Sequence, residues 1–370
     1  MTAGTDQSTA GRSLWYLCLE LPVEGQASHT HVMGILRGLD ARGWRTRLWS
    51  PQPRKGRRGA VRRLVDSLTL QARLMLQRKR PDVLYVRGHF ASLPTLLYAR
   101  LRRIPVVWEL NGAGTDVLSS WPRARRILPL LNASANLQMR LSSTAIGVTP
   151  ALARWATDHG ARTSHVVGNG ADTTLFSPGA STTATLPDRF VSFTGTLAKW
   201  QGIDSLFEAM DSPAWPRDVA LVVVGDGVLT DVVRDRSAAD PRVRYLGRLP
   251  HRDVAGVVAR SLAALSPMYA ADRVQIGVVP LKLFEAMACG VPVIVTDLPG
   301  QADIVTLNAC GIVVPPNDPD AIARAVAQLA DQPELVRSMG ERARSGAVER
   351  YSWDAAAAAT QTILIDLLDG

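Results

Sequence analysis

Pro280-Leu-Lys282-Leu-Phe-Glu285-Ala-Met-Ala-Cys-Gly290-Val-Pro292-Val-Ile-Val295 decides the fold. A helical pattern over Leu283–Ala288 stops at Gly290, the residue type that favours a left-handed helix end, and Pro292 forbids its continuation. A short β-branched run follows at once, so the unit reads helix, tight turn, buried strand. Lys282 and Glu285 stand three apart and share a helix face. A carboxylate on such an apolar helix is costly unless a partner hydrogen-bonds it. A ribose diol can supply two hydroxyls to one carboxylate. The alternative is an internal Lys282–Glu285 pair, which on an exposed helix contributes about 0.2–0.5 kcal/mol.

The same alternation extends in both directions. Strands are expected at Leu14–Leu19, Arg45–Trp49, Val83–Val86, Val106–Leu110, Ala145–Val148 and Ser164–Val167. Further strands are expected at Phe190–Thr194, Ala220–Gly225, Val243–Leu246, Ala263–Ser266 and Pro292–Val295. Helical patterns lie between them, at Thr30–Arg42, Ala60–Arg78, Gly202–Met210 and Asp320–Asp331, with Asp318 as a cap. Nearly all-apolar strands alternating with helices imply parallel sheets covered on both faces. The pattern breaks at 168–187 into Gly, Asn, Thr, Ser and Pro, which marks a linker. The expected class is therefore α/β, two Rossmann-like parallel-sheet domains facing a ligand cleft at the carboxyl ends of their strands. We place the boundaries at 1–12 for a disordered start, 13–172 plus the final helix 355–370 for one domain, and 173–354 for the other.

Bulk properties agree. The chain has 370 residues, 46% hydrophobic and 20% charged, enough for two domains and unlike a disordered chain. Lys and Arg number 42 against 33 Asp and Glu, for a net charge of +9. That balance suits an anionic partner, or a solvated Arg-rich surface. Aromatic residues are 6% and form no stacking platform on a basic strand, so nucleic acid is not an expected partner. Cys18, Cys289 and Cys310 are too few and too far apart for a zinc site or a disulfide framework, which fits a reducing cytoplasm. No apolar run reaches the roughly 18 residues of a membrane span. Basic segments 54–63 and 123–126 precede apolar helical stretches and are candidates for peripheral contact with the inner membrane face. An ordinary helix with a solvated basic edge is the reading preferred over this.

Three further turns carry candidate chemistry. After the first strand, Gly25 in a small polar turn leads into a helix bearing His29 and His31, with Ser28 as a possible N-cap. In Gly168-Asn-Gly-Ala-Asp-Thr-Thr-Leu-Phe176-Ser-Pro178, Phe176 reads as a hydrophobic plug and Asn169-Gly170 as bare backbone near a ligand. In Gly195-Thr196-Leu-Ala-Lys199-Trp-Gln201-Gly202, a glycine turn and a lysine precede a helix. This suits a diphosphate, although Lys199 reads equally as a solvated surface lysine.

These stretches, with Val222-Val-Val-Gly225-Asp226-Gly227 and Tyr245-Leu-Gly247-Arg248-Leu249-Pro-His251, resemble family 4 of the retaining glycosyltransferases, which have the GT-B fold. The resemblance runs from Leu14 to about Leu368. It implies a nucleotide diphosphate sugar as co-substrate, no metal or other cofactor, and an acceptor held by the first domain. Glu285 would hold the donor ribose. Lys282, Gly195, Thr196 and the amides near Gly277, Val278 and Val279 would face the diphosphate or donor sugar. Gly247, Arg248 and Leu249 would meet the nucleobase, and Gly25 would lie by the phosphates. The catalytic candidates are Lys282, Lys199, Glu109 and His31; those for the acceptor are Asn111, His29 and Arg87.

Three positions depart from the family pattern. Gly277 stands where a first glutamate is frequent, with Asp272, Arg273 and Gln275 near by. Thr196 and Gln201 replace a frequent Arg and Lys, and Asn111 replaces a frequent His. A non-catalytic nucleotide-sugar-binding protein is the competing expectation.

Overall fold

The computed structural model describes residues 11–52, 60–112, 126–269, 277 and 279–370. Val278, Asp272, Arg273, Gln275, nearly all of the 1–12 stretch and most of the two basic segments lie outside the described residues. Two compact units emerge. One runs to Gly168 and takes back Ala356–Gly370; the other is Asn169–Ala355.

The first unit is built on six parallel strands: β1 (Ser13–Leu17), β2 (Arg45–Trp49), β3 (Val83–Arg87), β4 (Val106–Leu110), β5 (Thr144–Gly147) and β6 (Ser164–Val166). Their order is β2-β1-β3-β4-β5-β6. The central strands β3 and β4 are buried almost throughout, as helices on both faces require. The helix after β1 is Ala27–Asp40, and its cap position is Gln26, not Ser28. Gly25, at φ +81°, turns the chain sharply enough for the helix to begin at Ala27, so Ser28 falls inside the first turn. Gly11 and Arg12, expected in a disordered start, are held: Gly11 N donates to Gly43 O at 3.3 Å, and Arg12 pairs with Asp369 of the last helix at 2.7 Å.

The second unit repeats the plan with β7 (Phe190–Thr194), β8 (Ala220–Val224), β9 (Val243–Tyr245), β10 (Ala264–Ser266), β11 (Val293–Thr296) and β12 (Gly311–Val314). The parallel order is β12-β11-β10-β7-β8-β9. One apolar cluster forms on the Ile203, Leu206 and Met210 face of the sheet, and another forms around Phe176, Leu283, Phe284 and Met287. The segment expected to close the first domain at residue 172 instead joins this unit. Ala171 bridges Ser352, its N–H reaches Tyr351 O at 2.8 Å, and its carbonyl accepts from Trp353 N at 3.1 Å. Asp318 caps the helix Pro319–Asp331 by accepting from Ala321 N at 2.8 Å.

Small residues fix the helix Leu281–Ala288. The neighbouring helix Pro333–Glu349 buries Gly340, Ala343, Gly346 and Ala347. A Cβ on Gly340 would stand 2.2 Å from Gly290 O, so the two backbones meet at a distance only glycine permits. Among the described residues no helix is long and apolar enough to cross a membrane. The three cysteines are free and buried.

Candidate functional site

In the second unit, the turns after β7, β8 and β9 stack on one another. Gly195 N donates to Val224 O at 3.0 Å, and Gly225 N to Gly247 O at 2.8 Å. Gly225 is at φ +139°, and a Cβ there would lie 1.8 Å from Gly195 O. Glycine is thus required for these turns to close. Next along the chain, the 3₁₀ turn Lys199–Gln201 ends at Gly202, where a Cβ would overlap Pro267 O. The result is a layer of bare backbone around Gly195, Gly225 and Gly247, and all three turns follow the carboxyl ends of neighbouring strands.

Lys282 reaches this layer from the first turn of the helix Leu281–Ala288. Its Nζ donates to Gln201 Oε1 at 2.6 Å, lies 3.9 Å from the centre of the Phe193 ring, and would be 3.9 Å from a Cβ on Gly195. Burial pushes its pKa down to about 7, against an upward pull from Glu285. A small cavity lined by Ser192, Thr194, Ser266 and Lys282 adjoins it. One turn further along, Glu285 is buried, and its Oε1 stands 3.3 Å from His251 Nε2. The His251 ring meets Phe176 edge-on with centroids 5.1 Å apart, and Phe176 is fully buried. The structure therefore does not form the internal Lys282–Glu285 pair. Each group is held by a different neighbour.

The other described donor candidates of this unit lie in its loops. Gly195 and Thr196 are exposed. Gly247 has open space where a side chain would be. Arg248 is exposed, with Nη1 4.0 Å from Asp226 Oδ2, and Leu249 packs on the Phe190–Val222 cluster. Gly277 has φ +75°, and Val279 O accepts from Asn169 Nδ2 at 3.4 Å. Lys199 is exposed at the start of the 3₁₀ turn, whereas Gln201 at its end is buried and accepts from Lys282 Nζ.

The first unit gathers a second polar group. Glu109, next to last in β4, is 1% exposed. Its two oxygens each accept from Tyr16 Oη at 3.1 Å, and Oε1 also accepts from Arg87 Nη1 at 3.0 Å and from Asn111 Nδ2. Oε2 stands 3.0 Å from His31 Nε2, and His31 is 4% exposed. Burial alone would raise the Glu109 pKa, but His31, Arg87 and Asn111 hold it well below the usual carboxylate range. Burial also pushes the nearby Cys18 thiol up to about 12, which keeps it a protonated, inert group. Of the candidates assigned to acid–base work and the acceptor, Glu109, His31, Arg87 and Asn111 do come together. Glu109 and His31 are both buried within this cluster. His29, two residues before His31, lies on another helix face and is half-buried. Gly25 is exposed in its turn.

His251 is the residue that sequence reasoning missed. It closes the Tyr245–His251 stretch, and nothing in its spacing ties it to Glu285, 34 positions on.

Comparison with known proteins identifies the assembly. The model of "Glycosyl transferases group 1" matches residues 180–346, and that of "Glycosyltransferase Family 4" matches 28–175. The chain belongs to the family 4 glycosyltransferases. Its two parallel six-stranded sheets are those of the GT-B fold. This glycosyltransferase superposes on sucrose-phosphate synthase from Thermosynechococcus elongatus with a TM-score of 0.77 at 17% identity, over 97% of this chain and 99% of that one. It also superposes on Anabaena HepE in complex with UDP-glucose, with a TM-score of 0.69 at 18% identity, over 96% and 99%. By sequence it is 26% identical over 308 residues to N-acetyl-alpha-D-glucosaminyl L-malate synthase of Bacillus anthracis, 79% of this chain and 76% of that protein. It is 29% identical over 199 residues to a GDP-mannose-dependent phosphatidylinositol monomannoside mannosyltransferase of Corynebacterium glutamicum. That match spans 50% of this chain and 52% of the mannosyltransferase.

Proposed function

We propose that this glycosyltransferase moves a sugar from a nucleoside diphosphate donor, UDP or GDP, to a small soluble acceptor of natural-product or thiol biosynthesis, with retention at the anomeric carbon. The observation that carries the reading is the pair Lys282 and Glu285. They lie on one helix face beneath a layer of glycine turns, each held away from the other. A carboxylate with one partner suits a ribose diol, and an ammonium beside an exposed glycine turn suits a diphosphate.

In the proposed reaction the bond from the anomeric carbon to the β-phosphate oxygen breaks, and the acceptor heteroatom bonds to that carbon. The acceptor's proton passes to the departing diphosphate. Lys282 and the Thr196 N–H of the Gly195 turn stabilise charge as it develops on the leaving group, where fixed dipoles are worth most. The proposal gives this task to side chain and main chain rather than to a metal. Retention and the direction of transfer rest on family membership.

The donor class is supported by HepE, solved with UDP-glucose, and by the GDP-mannose-dependent relative. The soluble acceptor is supported by the malate-modifying relative, whose match covers most of both halves. A second reading, a lipid-linked acceptor, is favoured by one feature. The helix Ala60–Met75 leaves Leu64, Val65 and Leu68 about half exposed beside exposed Arg62 and Arg63.

The test is a thermal-shift panel of UDP-, GDP-, ADP- and dTDP-sugars, followed by product analysis with soluble and lipid acceptors. A selective shift with turnover supports the reading; selective binding with no turnover or donor hydrolysis leaves a binding protein. Glu285→Gln should weaken nucleoside diphosphate binding by about tenfold or more, the scale of one hydrogen bond to a charged group. Unchanged affinity in calorimetry would refute the ribose role.

A further inference from the structure

We propose that His251 is a positioning residue for the donor ribose: it fixes the Glu285 carboxylate so that one oxygen remains directed at the ribose hydroxyls. This rests on the reading of Glu285 given above. The His251 side chain is 41% exposed, so it is not buried for packing alone, yet its ring is held. Phe176 meets it edge-on at 5.1 Å, and Phe176 cannot shift because it is enclosed by the core around Leu283, Phe284 and Met287. His251 is also the first residue of the helix His251–Ala259, which fixes its backbone. From this anchored position Nε2 stands 3.3 Å from Glu285 Oε1.

The consequence follows from carboxylate geometry. Glu285 can rotate about its terminal torsion, which is broad and two-fold, so an unanchored carboxylate samples many planes. One fixed partner at Oε1 sets the plane and leaves Oε2 in a defined direction. The cation on the same helix does not do this, because Lys282 Nζ is bonded to Gln201. Bidentate recognition of two vicinal hydroxyls demands a defined plane, so a ring that touches no ligand would set how well ribose is told from a sugar lacking one hydroxyl.

The experiment measures binding of UDP, GDP and ADP, and of their 2′-deoxy counterparts, by calorimetry. The readout is the ratio of ribo to deoxyribo affinity for whichever nucleotide binds most tightly. In the unaltered protein the ratio should be about tenfold or more. Glu285→Gln should bring it close to one. His251→Phe keeps the edge contact with Phe176 but removes the ring nitrogen, and its ratio should fall to within about twofold of that of Glu285→Gln. His251→Gln, which can place an amide N–H near Oε1, should recover part of the discrimination. Lys282→Ala should weaken both nucleotides alike and leave the ratio intact.

A His251→Phe protein with the full ratio, beside a Glu285→Gln protein without it, would overturn the role of His251 and spare that of Glu285. A full ratio in Glu285→Gln would instead overturn the ribose reading itself. If His251→Phe does not fold, His251→Gln decides: a ratio between those of the unaltered and Glu285→Gln proteins supports the role, and an unchanged ratio in both His251→Gln and His251→Asn overturns it.

Discussion

Each half of this glycosyltransferase buries one glutamate near a cation, and the two are handled in opposite ways. Glu109 is surrounded by the Tyr16 hydroxyl, the Arg87 guanidinium, the Asn111 amide and the His31 ring. Among the described residues Glu285 faces one such partner, His251. The cations differ in the same sense. Arg87 is bonded to Glu109, whereas Lys282, one turn from Glu285 on the same helix, donates to the neutral amide of Gln201. In the first unit opposite charges neutralise each other. In the second they are kept apart, and their capacity remains for something else. A saturated ion cluster is what a fold uses to hold itself; a separated pair costs stability and is kept where a ligand completes it.

The largest expected effect comes from breaking the saturated cluster. Glu109→Ala removes the buried counter-charge of Arg87, whose Nε keeps only a 3.8 Å contact with the exposed Glu20, and should lower unfolding free energy by about 3–5 kcal/mol in urea titration. A loss below about 1 kcal/mol would mean that the cluster does not hold the first unit together. The dependence on pH has a defined direction. Because the folded Glu109 pKa lies well below its ordinary value, its contribution is fully present above about pH 4.5 and is lost as pH falls toward the folded value. The gap between the unaltered protein and Glu109→Gln should therefore narrow in acid.

Lys282 should show the reverse. Its folded pKa is about 7 because burial penalises the ammonium, while an unfolded lysine titrates near 10.4. The penalty is complete below about pH 7 and gone above about pH 10. Lys282→Met should then be more stable than the unaltered protein at pH 6, by on the order of 1–3 kcal/mol after the loss of the Gln201 hydrogen bond. The advantage should vanish toward pH 10. Turnover should nevertheless fall by about tenfold or more, since the charge acts on the leaving diphosphate. A variant that is less stable at pH 6 and equally active would place Lys282 among the structural cations and erase the contrast with Arg87.

How much of this was legible in sequence follows the same physical division. Strands β4 and β7 fall on their expected spans because short, mostly apolar buried runs have one reading, and β2 does so through exposed positions alternating with half-buried ones. β12 was not anticipated: it has four residues, three of them only half-buried, and so lacks a buried run. The helix Pro333–Glu349 was missed because it packs through Gly340, Ala343, Gly346 and Ala347, and small residues carry little hydrophobic signal. At the candidate site, Lys282 and Glu285 stand out in sequence because they interrupt an apolar helix. Their partners, Gln201 and His251, do not, since they arrive from other loops and only topology joins them. The partners that crowd Glu109 are not legible either, because sequence does not tell a buried carboxylate that is satisfied from one that is waiting.

The smallest expected effect tests that last distinction. His251 keeps 41% of its side-chain surface, so its contact with Glu285 at 3.3 Å is screened by solvent, and such exposed contacts usually contribute about 0–1 kcal/mol. Glu285→Gln should consequently change unfolding free energy by less than about 1 kcal/mol, although the residue is almost as buried as Glu109. Similar burial with such different costs would mean that the number of partners, and not depth, separates a structural carboxylate from a ligand-binding one. If Glu285→Gln instead destabilises as much as Glu109→Ala, then Glu285 is already holding its own unit together. In that case the open capacity inferred for the second unit does not exist, and a donor ribose would have to be gripped elsewhere.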